Sequence, residues 1–559
     1  MQRTLLAIVS IVLTLNALES PEDSVAQLTL REKIGQLFVI SASSNFEQPT
    51  EQLASAFIQC PYSMQPEHVE KMIKEYGVGG IIFLYKSDPV KQMMLARKFQ
   101  AASKVPLMIT QDAEWGLSMR LDIDPKKVVR YPRNMTLGAI QDEEIVFEVA
   151  KEIGNQCAAI GVHMNFAPVV DVNNNKANPV IHDRSFGDNP DRVARLACLF
   201  ARGLQAAGVL ACAKHFPGHG DTNIDSHVEL PTIKHNRNRL DAVELAPFRA
   251  LARNGIDAIM HAHLNVPALD ETGTPSSLSH KIVTQLLQQE LGYKGLNITD
   301  GLGMDAVRKK YAPGELELAA FLAGNDILLC PLDVPNAVSL IEREITSGRV
   351  SEDDLNRRVL KILSSKKWAF EQQKGLNENI EDIEKYLTRK EAYELQRRAY
   401  RAAVTLIPQQ GEISLNKSSF DSSCILQMGK LPENAFIGLC NQHEKAVLSC
   451  SSALSPQEFN ACVAQAQKKE CVVIALGEMN KFINKNFGIS ENVSELMRQL
   501  RAMDKKIHVI LFGTPYSIEL FPNANSFIVA YEDTVTSQHA VVDVLRGDLK
   551  PSGVLPITI

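Results

Sequence analysis

Eight short apolar runs alternate with amphipathic stretches between residues 36 and 331, and this alternation narrows the possible folds more than any other feature of the chain. The runs are "QLFVIS" at 36, "VGGIIFLY" at 78, "PLMITQDAE" at 106, "VHMNFAPVVDV" at 162, "LACAKHFPG" at 210, "DAIMHAHL" at 257, "GLNITDGL" at 295 and "DILLCP" at 326. Between them lie stretches such as "DEEIVFEVAKEIGNQCAAIG" at 142 and "SHKIVTQLLQQELG" at 279, whose apolar residues recur every three or four positions, as a helix face requires. Alternating strands and helices imply parallel strands, because each helix returns the chain to the edge it left. Eight such units predict an α/β fold of the (β/α)8 TIM-barrel type rather than an open doubly wound sheet. The polar residues point the same way. Asp112, Asp171, Lys214 with His215, His261 with His263, and Asp300 all fall at the ends of their runs, so five of the eight strands would deliver side chains to the carboxyl-end mouth.

The barrel is expected over residues 21–370. Asn189 can cap a helix that Pro190 opens and whose dipole Asp191 complements, and Ser351 with Asp354 approximates a capping box. Residues 371–400 are charged and helical and read as a connector. From 401 to 559 the pattern resumes with strand candidates "AVTLIP" at 403, "CVVIAL" at 471, "IHVILFG" at 507 and "SFIVAYE" at 526, which predicts a second, smaller α/β sandwich domain.

Residues 1–20 read differently. Arg3 precedes an apolar run from Leu5 to Leu15, the pattern of a secretory signal peptide, too short to span a bilayer. A periplasmic or secreted protein is therefore expected, with no stable membrane insertion once the signal is removed. A net charge of -6, with 45% apolar and 22% charged residues, describes a mildly acidic globular chain without the basic balance that nucleic-acid capture needs. Of ten cysteines, Cys157, Cys198 and Cys212 fall in apolar runs as small hydrophobes, no C-x-x-C pair offers a thiolate zinc site, and Cys440 with Cys450 is the best disulfide candidate.

The chemistry concentrates in "KHFPGHGDTNIDSH" at 214–227, which holds three histidines, two aspartates and a lysine. One reading is a metal site, since His215, His219 and the H-x-H of His261 and His263 have the flavour of a zinc set, with Lys214 and Asp300 as nominal further ligands. Gly218 and Gly220, interleaved with the histidines, fit a mobile loop better than a rigid cage. The other reading pairs Asp225 with His227, two apart on a loop, as a carboxylate–imidazole dyad that donates and accepts a proton. Asp300, in "NITDGLGM", would aim a carboxylate into the same mouth, where it could act as a nucleophile.

The segment resembles the hallmark of family 3 glycoside hydrolases, in their β-N-acetylglucosaminidase branch. "ITQDAEWGLSMRL" at 109, "HDRSFGDNP" at 182 and "ITDGLGMDA" at 298 extend the resemblance in family order, and the closing "RGDLKPSGVLPITI" is similar to the family's C-terminal end. The resemblance implies that Asp300 attacks the anomeric carbon, and that His227, paired with Asp225, is general acid and then base. It also implies that Asp112, Arg120, Arg184, Lys214 and His215 grip the sugar hydroxyls, and that configuration is retained through a covalent glycosyl-enzyme. The implied substrate is an amino-sugar glycoside such as a peptidoglycan fragment, with no cofactor and no metal. A family 3 β-glucosidase or xylosidase, phosphorolysis in place of hydrolysis, and a metal-dependent barrel hydrolase stand as alternatives. Phosphate enters because a neutral imidazole does not repel an anionic acceptor as a second carboxylate would. Trp115 replaces a glycine common in the family, either as a stacking platform or as a packing residue. An acid/base glutamate from the second domain, as in the β-glucosidase branch, could only be a residue such as Glu478 or Glu532.

Overall fold

The computed structural model describes residues 20–43, 65–121, 127–374, 382–409 and 417–559. The signal-peptide reading of residues 1–20 falls almost wholly outside the described residues. Two compact units divide the chain. The first holds residues up to Tyr131, Ala150–Asp171 and Ala197–Arg389; the second holds Pro132–Val149, Val172–Leu196 and Lys390–Ile559.

All eight apolar runs of the first unit form strands: β1 (Phe38–Ala42), β2 (Gly80–Phe83), β3 (Met108–Gln111), β4 (Met164–Asn165), β5 (Leu210–Phe216), β6 (Ala258–His261), β7 (Leu296–Thr299) and β8 (Leu328–Leu329). Every strand pairs in parallel with its sequence neighbour from β1 to β7, and β8 pairs with β1. The ring closes where Ile298 bridges Ile327 and the Thr299 N–H donates to the Ile327 carbonyl at 3.0 Å. The expected (β/α)8 barrel is thus the observed one. Its strands are buried at every position, as a parallel sheet covered on both faces must be.

Helix starts follow local chemistry. Asn189 accepts the Arg192 N–H at 3.0 Å and Pro190 opens the helix Pro190–Ala206. Ser351 accepts the Asp353 N–H at 3.1 Å, but the expected reciprocal bond from Asp354 is absent, because that carboxylate turns to Arg357 and Arg358. The run at 279 is helical yet wound as a π-helix over Lys281–Glu290, and the Leu291 N–H reaches back five residues to Leu286.

The second unit carries a six-stranded sheet of β9 (Thr405–Pro408), β10 (Cys424–Met428), β11 (Val447–Cys450), β12 (Cys471–Leu476), β13 (Lys506–Leu511) and β14 (Ser526–Val529). The spatial order is β11-β10-β12-β13-β14-β9, with β9 alone antiparallel. Val541 and Leu545 of helix Val535–Arg546 join Phe436, Ile510 and Ile528 in its core. Strands β10 and β11 escape sequence reading because "CILQM" breaks its apolar run with the buried Gln427, and "VLSC" is a half-exposed edge strand. No disulfide joins any of the nine described cysteines. The expected Cys440–Cys450 pair is not formed; Cys450 instead faces Cys462, with sulfurs 3.5 Å apart, because the helix Pro456–Gln467 packs its buried side beside the end of β11. No described helix is long and apolar enough to cross a membrane.

Candidate active site

Asp112 follows β3 directly, Lys214 and His215 lie near the end of β5, and Asp300 follows β7, so three strands deliver charged side chains to one end of the barrel. The bonds Lys214–His215 and Phe216–Pro217 are cis, and the β5–β6 register shifts between Lys214 and Phe216.

The first cluster is ionic. Asp112 accepts from Arg120 at 2.5 Å through one oxygen and from the Lys214 ammonium at 2.8 Å through the other. Lys214 also meets Glu114 at 2.8 Å. Lys214 and Glu114 are almost fully buried, at 3% and 2% side-chain exposure, so two acids balanced by two bases are what allows these charges to stay out of water. Burial by itself would raise the Asp112 carboxyl, but the charges of Lys214 and Arg120 hold it well below the ordinary carboxylate range. Such a cluster presents fixed acceptors and donors to a polyol. Glu114 is absent from the residues singled out by sequence, although it sits inside the quoted "DAEWG", two positions from Asp112.

The second cluster orients imidazoles. Asp171, whose side chain is fully buried, takes His215 Nδ1 at 2.7 Å and also accepts the backbone N–H groups of His215 (3.2 Å) and His219 (2.6 Å). Burial raises its carboxyl, and His215 more than reverses that, leaving it below the ordinary range. Asp171 was legible as a rim residue; its grip on two histidines was not.

The third cluster is the dyad. His227 Nδ1 lies 2.7 Å from Asp225 Oδ1, which also accepts the His227 N–H at 2.9 Å, and the two side chains are about equally exposed, at 30% and 31%. Asp225 is held below the ordinary range, with burial opposing and the His227 hydrogen bond prevailing. Asp300 is fixed by its N–H to the His261 carbonyl and by Gly301 N–H to Oδ1, both at 2.8 Å. Burial would raise its carboxyl, yet the imidazoles of His215, His263 and His227 bring it below the ordinary range. The Asp225–His227 loop follows β5 and Asp300 follows β7, so in a parallel barrel both belong to the same end.

The histidines of the metal reading have other partners. His263 is bonded through Nδ1 to Ser277 (2.7 Å) and through Nε2 to the Gly301 carbonyl (3.0 Å), while His261 Nε2 meets Asn297 at 3.1 Å. Among the described residues the one convergence of three metal-capable side chains is Asp221, His235 and Glu244. There His235 is bonded to Asp221, and Arg239 meets both Glu244 oxygens at 2.9 Å. Gly218, expected to lend mobility, has φ +127°, and a Cβ there would lie 2.8 Å from Glu244 Cβ; its smallness serves a close approach. Trp115 is partly exposed beside Gly116 at φ +88°.

Arg184 belongs to the second unit. It ends the turn His182–Arg184, its carbonyl accepts from Asn134 at 2.7 Å, and its guanidinium lies 3.4 Å from the Val180 carbonyl. Glu532 is buried and accepts the Arg133 N–H (2.9 Å) and the Thr136 hydroxyl (2.8 Å), so it anchors the start of the helix Asn134–Gly138. Glu478 is exposed at φ +52°.

Residues 29–365 match the glycosyl hydrolase family 3 N-terminal domain, and residues 287–559 match the family 3 C-terminal domain. The chain belongs to glycosyl hydrolase family 3. This family 3 enzyme is a glycoside hydrolase. It is 28% identical to "Beta-hexosaminidase A" of Pseudoalteromonas piscicida over 88% of its own length and 91% of that chain. A "Beta-hexosaminidase" of Neisseria meningitidis serogroup C is 33% identical, over 47% of this chain and 74% of the relative. Among solved structures, a family 3 beta-N-acetylglucosaminidase from Paenibacillus sp. str. FPU-7 superposes with a TM-score of 0.74 at 32% identity, covering 95% of this chain and 99% of that one.

Proposed function

We propose that this family 3 enzyme is a retaining exo-β-N-acetylglucosaminidase that removes terminal N-acetylglucosamine from peptidoglycan fragments or related β-glycosides, in the periplasm or outside the cell. The observation that carries the reading is the shared mouth of an ionised Asp300 and an Asp225–His227 dyad. The names of its relatives, beta-hexosaminidases and a beta-N-acetylglucosaminidase, support the amino-sugar preference. In the first step Asp300 forms a bond to the anomeric carbon while His227, oriented by Asp225, gives its proton to the departing glycosidic oxygen. In the second, His227 takes a proton from water, which attacks the same carbon and releases Asp300, so the configuration is retained. Asp112, Arg120, Lys214 and His215 hold the glycon.

A fluorinated N-acetylglucosamine analogue that accumulates the glycosyl-enzyme, followed by mapping of the labelled peptide, tests nucleophile and glycon together. Label on the peptide containing Asp300 is expected. Label elsewhere, or faster turnover of nitrophenyl β-glucoside than of the N-acetylglucosaminide, overturns the reading.

A further inference from the structure

The segment that carries the dyad is an arch. Its feet are fixed: Thr222 is buried, and the far side is tied by Asn265 N–H to the Pro231 carbonyl (2.8 Å) and Ile233 N–H to the Asn265 carbonyl (2.9 Å). Between them Asn223, Ile224, Val228 and Glu229 are exposed, Asp225 and His227 are partly exposed, and Ser226 is the one buried side chain from 223 to 230. The contact between Asp225 and His227 spans two residues and travels with the arch. It orients the imidazole ring and cannot fix the arch relative to Asp300.

Ser226 can. Its hydroxyl lies 2.9 Å from His219 Nε2, while His219 Nδ1 lies 2.8 Å from the Thr222 hydroxyl. Thr222 directs its own hydrogen to the His219 carbonyl at 3.2 Å, so Nδ1–H donates to Thr222 and Nε2 accepts from the Ser226 O–H. Burial pushes His219 down to about 4, which keeps the ring neutral and this assignment intact at working pH. The His219 N–H is held by Asp171, the same carboxylate that holds His215. One buried aspartate thus fixes a sugar-gripping histidine directly and, through His219 and Ser226, the residue preceding the acid/base histidine.

We propose that His219 and Ser226 are positioning residues that hold the dyad arch where His227 reaches the glycosidic oxygen. The inference rests on His227 being the acid/base group. The test compares Ser226→Ala with the unaltered enzyme and with His227→Ala, using 2,4-dinitrophenyl and methyl β-N-acetylglucosaminides. Ser226→Ala is expected to lower kcat/KM about tenfold for the methyl glycoside, one well-held hydrogen bond's worth, and less than about twofold for the dinitrophenyl one, which needs no proton. The limbs of the pH profile stay in place, since Asp225 and His227 still meet. Thr222→Val, which removes the group that fixes the His219 tautomer, is expected to show the same pattern more weakly. Equal losses on both aglycones, or no loss on either, overturn the proposal. If His227→Ala shows the leaving-group dependence and Ser226→Ala does not, only the positioning role fails; if His227→Ala lacks it, the acid/base reading fails as well.

Discussion

Lys366 lies in the helix Glu352–Gln372 with no exposed surface, and its ammonium has the Gln36 side-chain oxygen as a partner at 2.7 Å. Burial pushes it down to about 7 from the ordinary 10.5. A folded value below the unfolded one means the unfolded chain holds the proton more tightly, so the barrel gains stability as pH rises from 7 towards 10.5 and carries the full penalty below 7. Between about 7 and 10.5, at ~1.4 kcal/mol per decade, that penalty is about 5 kcal/mol. Lys366→Met keeps the packing and removes the charge but orphans the Gln36 oxygen, at ~1–3 kcal/mol, so a net gain of ~2–4 kcal/mol is expected at pH 7. Both tryptophans, Trp115 and Trp368, belong to the first unit, so their fluorescence in urea reports its unfolding separately from the second unit. The variant's advantage should shrink by roughly 3 kcal/mol between pH 7 and pH 9.5, since the unaltered enzyme recovers ~1.4 kcal/mol for each pH unit. A variant less stable at pH 7, or an advantage unchanged with pH, refutes the reasoning.

Asp300→Ala should abolish turnover, whereas His227→Ala should cost ~10²–10⁴-fold on alkyl aglycones and far less on activated aryl ones; equal losses contradict the assigned role of His227. Lys214→Met leaves Asp112 and Glu114 buried with one cation fewer and should destabilise the barrel by ~3–5 kcal/mol near neutral pH, a loss that shrinks in urea titrations at acidic pH as a carboxyl takes up a proton. Oxidised glutathione should link Cys450 to Cys462, with their two thiol hydrogens leaving on reduced glutathione; non-reducing peptide maps showing Cys440 joined to Cys450 would contradict the geometry.

The site was legible where its residues share a short stretch or end a strand. Asp225 and His227 are two apart, Asp112 and Arg120 share a segment, and Lys214 and Asp300 close apolar runs. It was illegible where a partner arrives from elsewhere in the chain, as when Asp171 reaches His215 and His219 from the segment after β4, or when Ser277 and the Gly301 carbonyl take both nitrogens of His263. Histidine spacing alone could suggest a metal set because spacing carries no information about which hydrogen bonds the rings already make.

The barrel's strand number, parallel order and polar rim follow from the sequence itself, because hydrophobic period and chain order are local properties that a barrel converts directly into position. Only the tertiary structure decided that Glu114 completes an ionic quartet, that Arg184 belongs with the second unit, that Glu532 is occupied at a helix start and that Cys450 meets Cys462. These outcomes depend on which groups lose water together, and a buried charge or hydroxyl takes whichever partner the packed fold brings within about 3 Å, however far apart the two lie along the chain.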